Sequence, residues 1–226
     1  MINDIRENYK RIYFNVEEAK AKYRKSDDNV EIMAVTKTIP PEDVNVAIDC
    51  GIRLLGENKV QEFLSKKEFY DKKADVNFIG HLQTNKVKNI IDDVTLIQSV
   101  DSFKLAQEID KQAKRVNKIQ NILLEVNVGN EETKSGILFE NAEDLAFQVA
   151  ELKNIKLKGL MTIPPKIDTE NFFNKIYELF IDICAKNIHN INMSVLSMGM
   201  SSDYELAIKY GSNLVRIGTM LFGARK

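Results

Sequence analysis

Apolar positions along this chain switch repeatedly between two patterns: short solid runs, and a recurrence every three to four residues. Ile5, Tyr9, Ile12, Val16, Ala19 and Tyr23 follow the second pattern and predict an amphipathic helix over 2–25, ahead of any strand. The run Ile32-Met33-Ala34-Val35, carried on to Lys37, predicts a buried strand over 31–37. Pro40-Pro41 then open a helix with Glu42 and Asp43 in its first turn, where acidic groups suit the dipole, and Gly51 ends it. Further strands are predicted over 52–55, 76–79, 94–97, 122–128, 157–161, 193–197 and 214–217. Helical patterns lie between them. They carry Val60, Phe63 and Leu64; Val87, Ile90 and Ile91; Leu105, Ile109, Ala113 and Val116 behind an Asp101-Ser102 cap; and Leu138, Ala142, Leu145, Val149 and Leu152. Phe172, Phe173, Ile176, Leu179, Phe180 and Ile183 form the richest apolar face, and Tyr204, Ala207 and Ile208 a short last helix.

Strands that alternate with helices imply a parallel sheet. Eight such units in 226 residues imply an α/β fold closed on itself, a (β/α)8 TIM barrel preceded by an extra N-terminal helix. A doubly wound open sheet is the alternative, but no Gly-x-Gly-x-x-Gly follows the first strand. No break in composition divides the chain, so a single domain over 1–226 is expected, with a leading helix over 1–25 and the barrel over 30–226. The leading helix enters before the first strand and is expected to close the N-terminal face of the barrel.

The formal net charge of −1 argues against a nucleic-acid footprint or an electrostatic membrane anchor. No apolar stretch approaches the roughly 20 residues that span a bilayer. The stretch MINDIRENYKRIYF has early acidic residues and no apolar core, so no secretory signal is expected. Cys50 and Cys184 sit in apolar helical contexts and read as buried free thiols of a cytoplasmic protein. No apolar face is left over, so a monomer is expected. His81 and His189 are far apart and lack ligand-like neighbours, which speaks against a zinc site. The basic run Lys111, Lys114, Arg115 and Lys118 reads as a solvated helix face, with docking of a partner as the alternative.

In a barrel the site lies where strands end. The expected ends carry Lys37, Gly56-Glu57-Asn58, Gly80-His81, Asn127 with Gly129, Met161-Thr162, Ser197 to Ser201, and Arg216 to Thr219. Lys37 ends a core strand. Such a lysine either snorkels to water or sits in a cleft, where a desolvated amine is a Schiff-base nucleophile for aldehydes. Ser201, Gly218 and Thr219 follow the last two strands, where barrels often hold a phosphate. Ser201-Ser202-Asp203 equally suit a helix cap. Arg216 brings a permanent cation near the barrel centre, or forms a structural ion pair with Glu57 or Glu125.

Seven segments in order carry a family resemblance. They are Ala34-Val35-Thr36-Lys37, the run from Gly56 to Glu62, the run from Phe78 to Lys86, Glu125 to Val128 with Lys134-Ser135-Gly136, Gly159 to Pro164, Leu196 to Asp203, and Val215 to Thr219 with Phe222-Gly223. With these the chain resembles the pyridoxal phosphate homeostasis proteins, the YggS/PROSC group, over nearly its whole length. The resemblance implies that pyridoxal 5'-phosphate is the cofactor and that Lys37 holds it as an internal aldimine. It implies that Ser201, Gly218 and Thr219 hold the phosphate and that Arg216 lies near the ring nitrogen, keeping it unprotonated. Asn58 and Met161 would line the pocket. Val76-Asn77 departs from the aromatic and histidine common in the family, away from the site.

The barrel also resembles the N-terminal domain of alanine racemase, which takes a second acid/base tyrosine from a separate β-rich domain. No such domain is expected after the eighth unit, and Tyr204 is expected at the edge of the cofactor. The resemblance therefore implies a non-catalytic carrier that buffers or delivers the cofactor, with apoenzymes as partners. The alternative is a slow amino-acid racemase. A barrel that binds some other phosphate ester is a third reading.

Overall fold

The structure is a computed structural model that describes residues 2–131 and 133–224. Met1 of the expected leading helix, Glu132, and Arg225-Lys226 at the end of the expected barrel lie outside the described residues. In chain order the elements are α1 (Ile2–Tyr23), β1 (Glu31–Val35), α2 (Pro41–Cys50), β2 (Leu54–Glu57), α3 (Val60–Lys66), β3 (Asp75–Phe78), β4 (Leu96–Val100), α4 (Phe103–Arg115), β5 (Gln120–Asn127), β6 (Ile137–Leu138), α5 (Ala142–Ala150), β7 (Ile155–Thr162), α6 (Thr169–Ala185), β8 (Ile191–Met200), α7 (Tyr204–Lys209), β9 (Leu214–Ile217) and α8 (Thr219–Phe222). The strand order is β4-β3-β2-β1-β9-β8-β7-β5-β6, and a further parallel pairing of β4 with β5 closes the ring. The fold is the closed α/β barrel with a leading helix that the alternation predicts. The two-residue β6 is an addition beside β5.

Element ends follow from local bonds. Pro41 starts α2, and Gly51 ends it with φ 127°. Ile52 N still donates to Ala47 O at 3.1 Å, so Ile52 belongs to the helix cap and β2 starts two residues later than the apolar run suggests. Val94 N donates to Ile90 O at 3.1 Å, which delays β4 in the same way. The helix expected around Val87 is a 3₁₀ segment, Thr84–Asn89. Ser102 caps α4 as expected, its Oγ accepting from Leu105 N at 3.4 Å. Leu138 lies in β6, 41% exposed, rather than on α5. Tyr23 and Val116, both expected inside, are exposed at helix ends.

The chain packs as two compact units, one from the N-terminus to Asn77 joined by Met198 onward, the other Phe78–Ser197. In the first unit α1 buries Ile5, Ile12, Val16 and Ala19 against α2, α7 and α8. Asn8 Nδ2 donates to Leu221 O at 3.0 Å. This corrects the expectation that α1 closes the N-terminal face. Its apolar stripe needs apolar partners, and α7 and α8, which follow strand ends β8 and β9, supply them on the flank. In the second unit α4, α5 and α6 cover β5 and β7. Lys118, read as part of a solvated run, is half-buried and donates to Ile91 O at 2.8 Å and Val94 O at 2.7 Å. Burial holds its amine below the usual lysine range. Cys50 is half-buried and Cys184 exposed, both free. The expected burial fails because the core faces of α2 and α6 are filled by Val44, Ala47 and Ile48 and by Phe173, Ile176, Leu179 and Ile183. No helix among the described residues is long and apolar enough to cross a membrane.

Candidate functional site

Strand β1 sits between β2 and β9, with Val35 opposite Gly56, Met33 opposite Arg216 and Ala34 opposite Ile217. The ladder runs one residue past β1, where Thr36 N donates to Gly56 O at 3.1 Å. Thr36 Oγ1 donates to Glu57 Oε1 at 2.6 Å, and Tyr70 Oη donates to the same oxygen at 2.5 Å. Tyr70 belongs to the outer layer after α3, so Ala34, Thr36, Leu55 and Glu57 face the helices. Strand alternation then assigns Met33 and Val35, with Gly56 and Arg216, to the opposite face, the barrel interior, and Asn58 and Gly218 follow directly on the ends of β2 and β9. Lys37 itself lies two residues beyond β1, in a turn, and is half-buried.

Arg216 is buried on that interior face, 3% exposed. Glu57 is not its partner, because the two side chains take opposite faces of the sheet. Gly218 lies against the end of β1: a Cβ there would stand 3.5 Å from Val35 Cβ, an ordinary contact, and its φ is −115°. Packing therefore does not demand glycine at 218. Ser201 Oγ accepts from Met220 N at 3.3 Å, which ties the turn after β8 to the first turn of α8 beside exposed Thr219. Asn58 Oδ1 is buried without a hydrogen-bond partner. The first unit thus brings Lys37, Asn58, Ser201, Arg216, Gly218 and Thr219 to neighbouring strand ends.

Met161 belongs to the second unit. It is fully buried in β7, opposite Glu125 of β5 and Ser197 of β8. Ser197 Oγ donates to Gln98 Oε1 of β4 at 2.7 Å, across non-adjacent strands, so this face too is interior. His81 is exposed with Nδ1 3.7 Å from the Asp101 carboxylate. Tyr204 is buried, and its hydroxyl accepts from Asn15 Nδ2 of α1 at 3.1 Å. That bond anchors it in the helix layer between α7 and α1. Ser201 and Met220 also line a cleft of about 1050 Å³ between α1 and α7, but neither Lys37 nor Asn58 does.

The sequence reading missed the polar network around Lys37. Burial pushes the Glu57 carboxyl above the usual carboxylate range, against the hydrogen bonds from Thr36 and Tyr70 and the charge of Lys66. Burial and the Glu57 charge push the Tyr70 hydroxyl up as well, so it remains a donor. Burial works to raise the Glu62 carboxyl too, but there the bonds from Lys66 and Thr38 N win and hold it below the usual range. The available signal was a glutamate in the middle of an apolar strand-end motif. The two acids have opposite effects on stability. A raised acid favours the fold below its unfolded pKa, near ~4.3, and loses that contribution as pH rises through the folded value; a lowered acid favours the fold above ~4.3 and loses it on acidification. Urea unfolding across that range is expected to show Glu57→Gln gaining on the parent as pH rises and Glu62→Gln falling behind it. Parallel slopes for the two variants would contradict these assignments.

A (β/α)8 barrel with a strand-end lysine, an interior arginine and glycine- and hydroxyl-bearing turns after its last two strands defines a class of proteins with their site at the C-terminal rim. Residues 8–226 match the family model described as alanine racemase, N-terminal domain. The chain is 43% identical over 225 residues to the pyridoxal phosphate homeostasis protein of Aquifex aeolicus strain VF5, across 97% of this chain and 98% of that one. A crystal structure of an unknown protein from Bifidobacterium adolescentis superposes with a TM-score of 0.92 at 32% identity, covering 98% of this chain and 95% of the other. PipY of Synechococcus elongatus PCC7942, solved with PLP bound, superposes with a TM-score of 0.80 at 28% identity, covering 92% and 98%. The chain belongs to the pyridoxal phosphate homeostasis proteins, within the alanine racemase N-terminal domain family.

Proposed function

We propose that this chain is a cytoplasmic, monomeric pyridoxal 5'-phosphate-binding protein that buffers the cofactor or delivers it to apoenzymes, with the whole barrel as one cofactor-binding domain and no enzymatic activity of its own. The observation that supports the reading is the parallel pairing of β1 with both β2 and β9, after whose ends Lys37, Asn58 and Gly218-Thr219 follow. The residues fit the group. Asn58 Oδ1 is a buried acceptor without a partner, and Gly218 lacks a side chain where the protein itself has room for one. Bound pyridoxal phosphate would supply an aldehyde and an electron-withdrawing ring. Lys37 would hold it as a Schiff base, its amine being the nucleophile for the aldehyde. Ser201, Gly218 and Thr219 hold the phosphate. Arg216, permanently charged, keeps a neighbouring ring nitrogen unprotonated, which weakens carbanion chemistry. Met161 lines the pocket. Tyr204, bonded to Asn15, is not offered as a second acid/base group.

The test is titration of the purified protein with pyridoxal phosphate, then borohydride and peptide mapping, alongside racemisation assays. A visible imine band, a reduced adduct on Lys37 and transfer of the cofactor to an apoenzyme are expected. An adduct on another lysine sinks the role of Lys37. Conversion of L-alanine or L-serine to the D form at about 1 per second or faster would show an enzyme instead.

A further inference from the structure

Residues 36–39 form a tight turn with Lys37 at its first central position, closed by Ile39 N donating to Thr36 O at 3.0 Å. Thr38, at the second central position, has φ 64°. That sign is the mark of a type II turn, whose second central residue is normally glycine or asparagine. A β-branched residue there is a genuine outlier and persists only where its surroundings over-determine it. The surroundings are visible. Thr38 N donates to Glu62 Oε1 at 2.5 Å, and the same oxygen accepts from Lys66 Nζ at 2.5 Å. Lys66 Nζ also donates to Thr36 O at 3.3 Å. The near side of the turn is tied down by Thr36 Oγ1 on Glu57.

Type I and type II turns differ by a flip of the peptide between the two central residues. The direction of the Thr38 N–H is therefore the difference between them. In the flipped form the Lys37 carbonyl oxygen would turn toward the Glu62 carboxylate. The flip also changes ψ of Lys37, and side-chain rotamer preferences follow the residue's own φ and ψ. We infer that Glu62 is a positioning residue: by accepting the Thr38 N–H it holds the turn in its left-handed form and so sets the aim of the Lys37 amine. Lys66 keeps that carboxylate in place from the same helix, α3. This inference rests on the reading of Lys37 as the cofactor-holding amine.

The experiment compares Glu62→Ala, Glu62→Gln, Thr38→Gly and the Thr38→Gly/Glu62→Ala double variant in the full-length protein. The readouts are amide hydrogen exchange at Thr38 without cofactor, the dissociation constant from the imine band, and thermal unfolding as a check on folding. In Glu62→Ala, Thr38 exchange is expected to accelerate and imine formation to weaken by about tenfold. Glu62→Gln keeps the acceptor and is expected to stay within about threefold of the parent. Glycine adopts positive φ freely, so in the Thr38→Gly background the effect of Glu62→Ala is expected to shrink to about threefold or less. Fast Thr38 exchange in the parent, an unchanged Glu62→Ala, a Gln variant as weak as the Ala variant, or an equal Glu62→Ala loss in both backgrounds each overturns the inference. A parent protein that forms no imine overturns the functional reading and this inference together, and is told apart by the absent band.

Discussion

Lys37→Ala is expected to abolish the borohydride-fixed adduct and to weaken retention of pyridoxal phosphate by about 100-fold or more, or roughly 2.7 kcal/mol. On the proposed Schiff-base reading the loss is large because a covalent link is removed, and it is finite because the turns at Ser201 and Gly218-Thr219, and Arg216, are untouched. Hydrogen bonds to charged groups contribute about 1.5–3 kcal/mol each, so some affinity survives without the amine. Dialysis of loaded protein separates the two contributions. The variant should release cofactor within the dialysis time, and a control at exposed Lys111 should behave as the parent. Equal retention by Lys37→Ala and parent would move the site elsewhere in the barrel.

Gly159→Ala is expected to destabilise the protein by about 3–5 kcal/mol, read as a lowered urea midpoint with an unchanged slope. Gly159 lies in β7 opposite Val195 of β8, where the register shifts after Leu157. Its φ is 149°, and a Cβ would fall 1.7 Å from the Val195 carbonyl oxygen. That obstacle is backbone and cannot swing aside, so the strands must part. Gly223→Ala is the matched comparison. Its φ is 89°, but nothing lies within 4 Å of the added atom, so only the conformational cost remains, about 1–3 kcal/mol. Similar losses in the two variants would mean that β7 and β8 separate at that point without penalty.

Much of the fold was legible in the chain because burial imposes its own periods. The solid runs became β1, β5, β7, β8 and β9, and the Pro41 start, Gly51 end and Ser102 cap of the helices stand where their chemistry places them. The misread boundaries have one cause. Ile52 and Val94 are apolar enough to begin a strand, yet their N–H groups are already committed to the preceding turn. Periodicity measures apolar character and cannot register that bond. Leu138 likewise kept helical spacing with Ala142 while forming β6.

The residue types that can trap an aldehyde and seat a phosphate were readable from sequence, because a strand-end lysine and glycine-hydroxyl turns are local features. Their grouping required the sheet. Parallel pairing of β1 with both β2 and β9 brings the strand ends that precede Lys37, Asn58 and Gly218 together from three distant stretches. Strand alternation removes Glu57 from Arg216 and gives it to Thr36 and Tyr70. The Glu62 contact to Thr38, the burial of Tyr204 against Asn15 and the flank position of α1 are likewise tertiary. Sequence spacing determines which residues share a face within one element. Which elements meet depends on how all the apolar stripes are buried at once, and only the folded chain decides that.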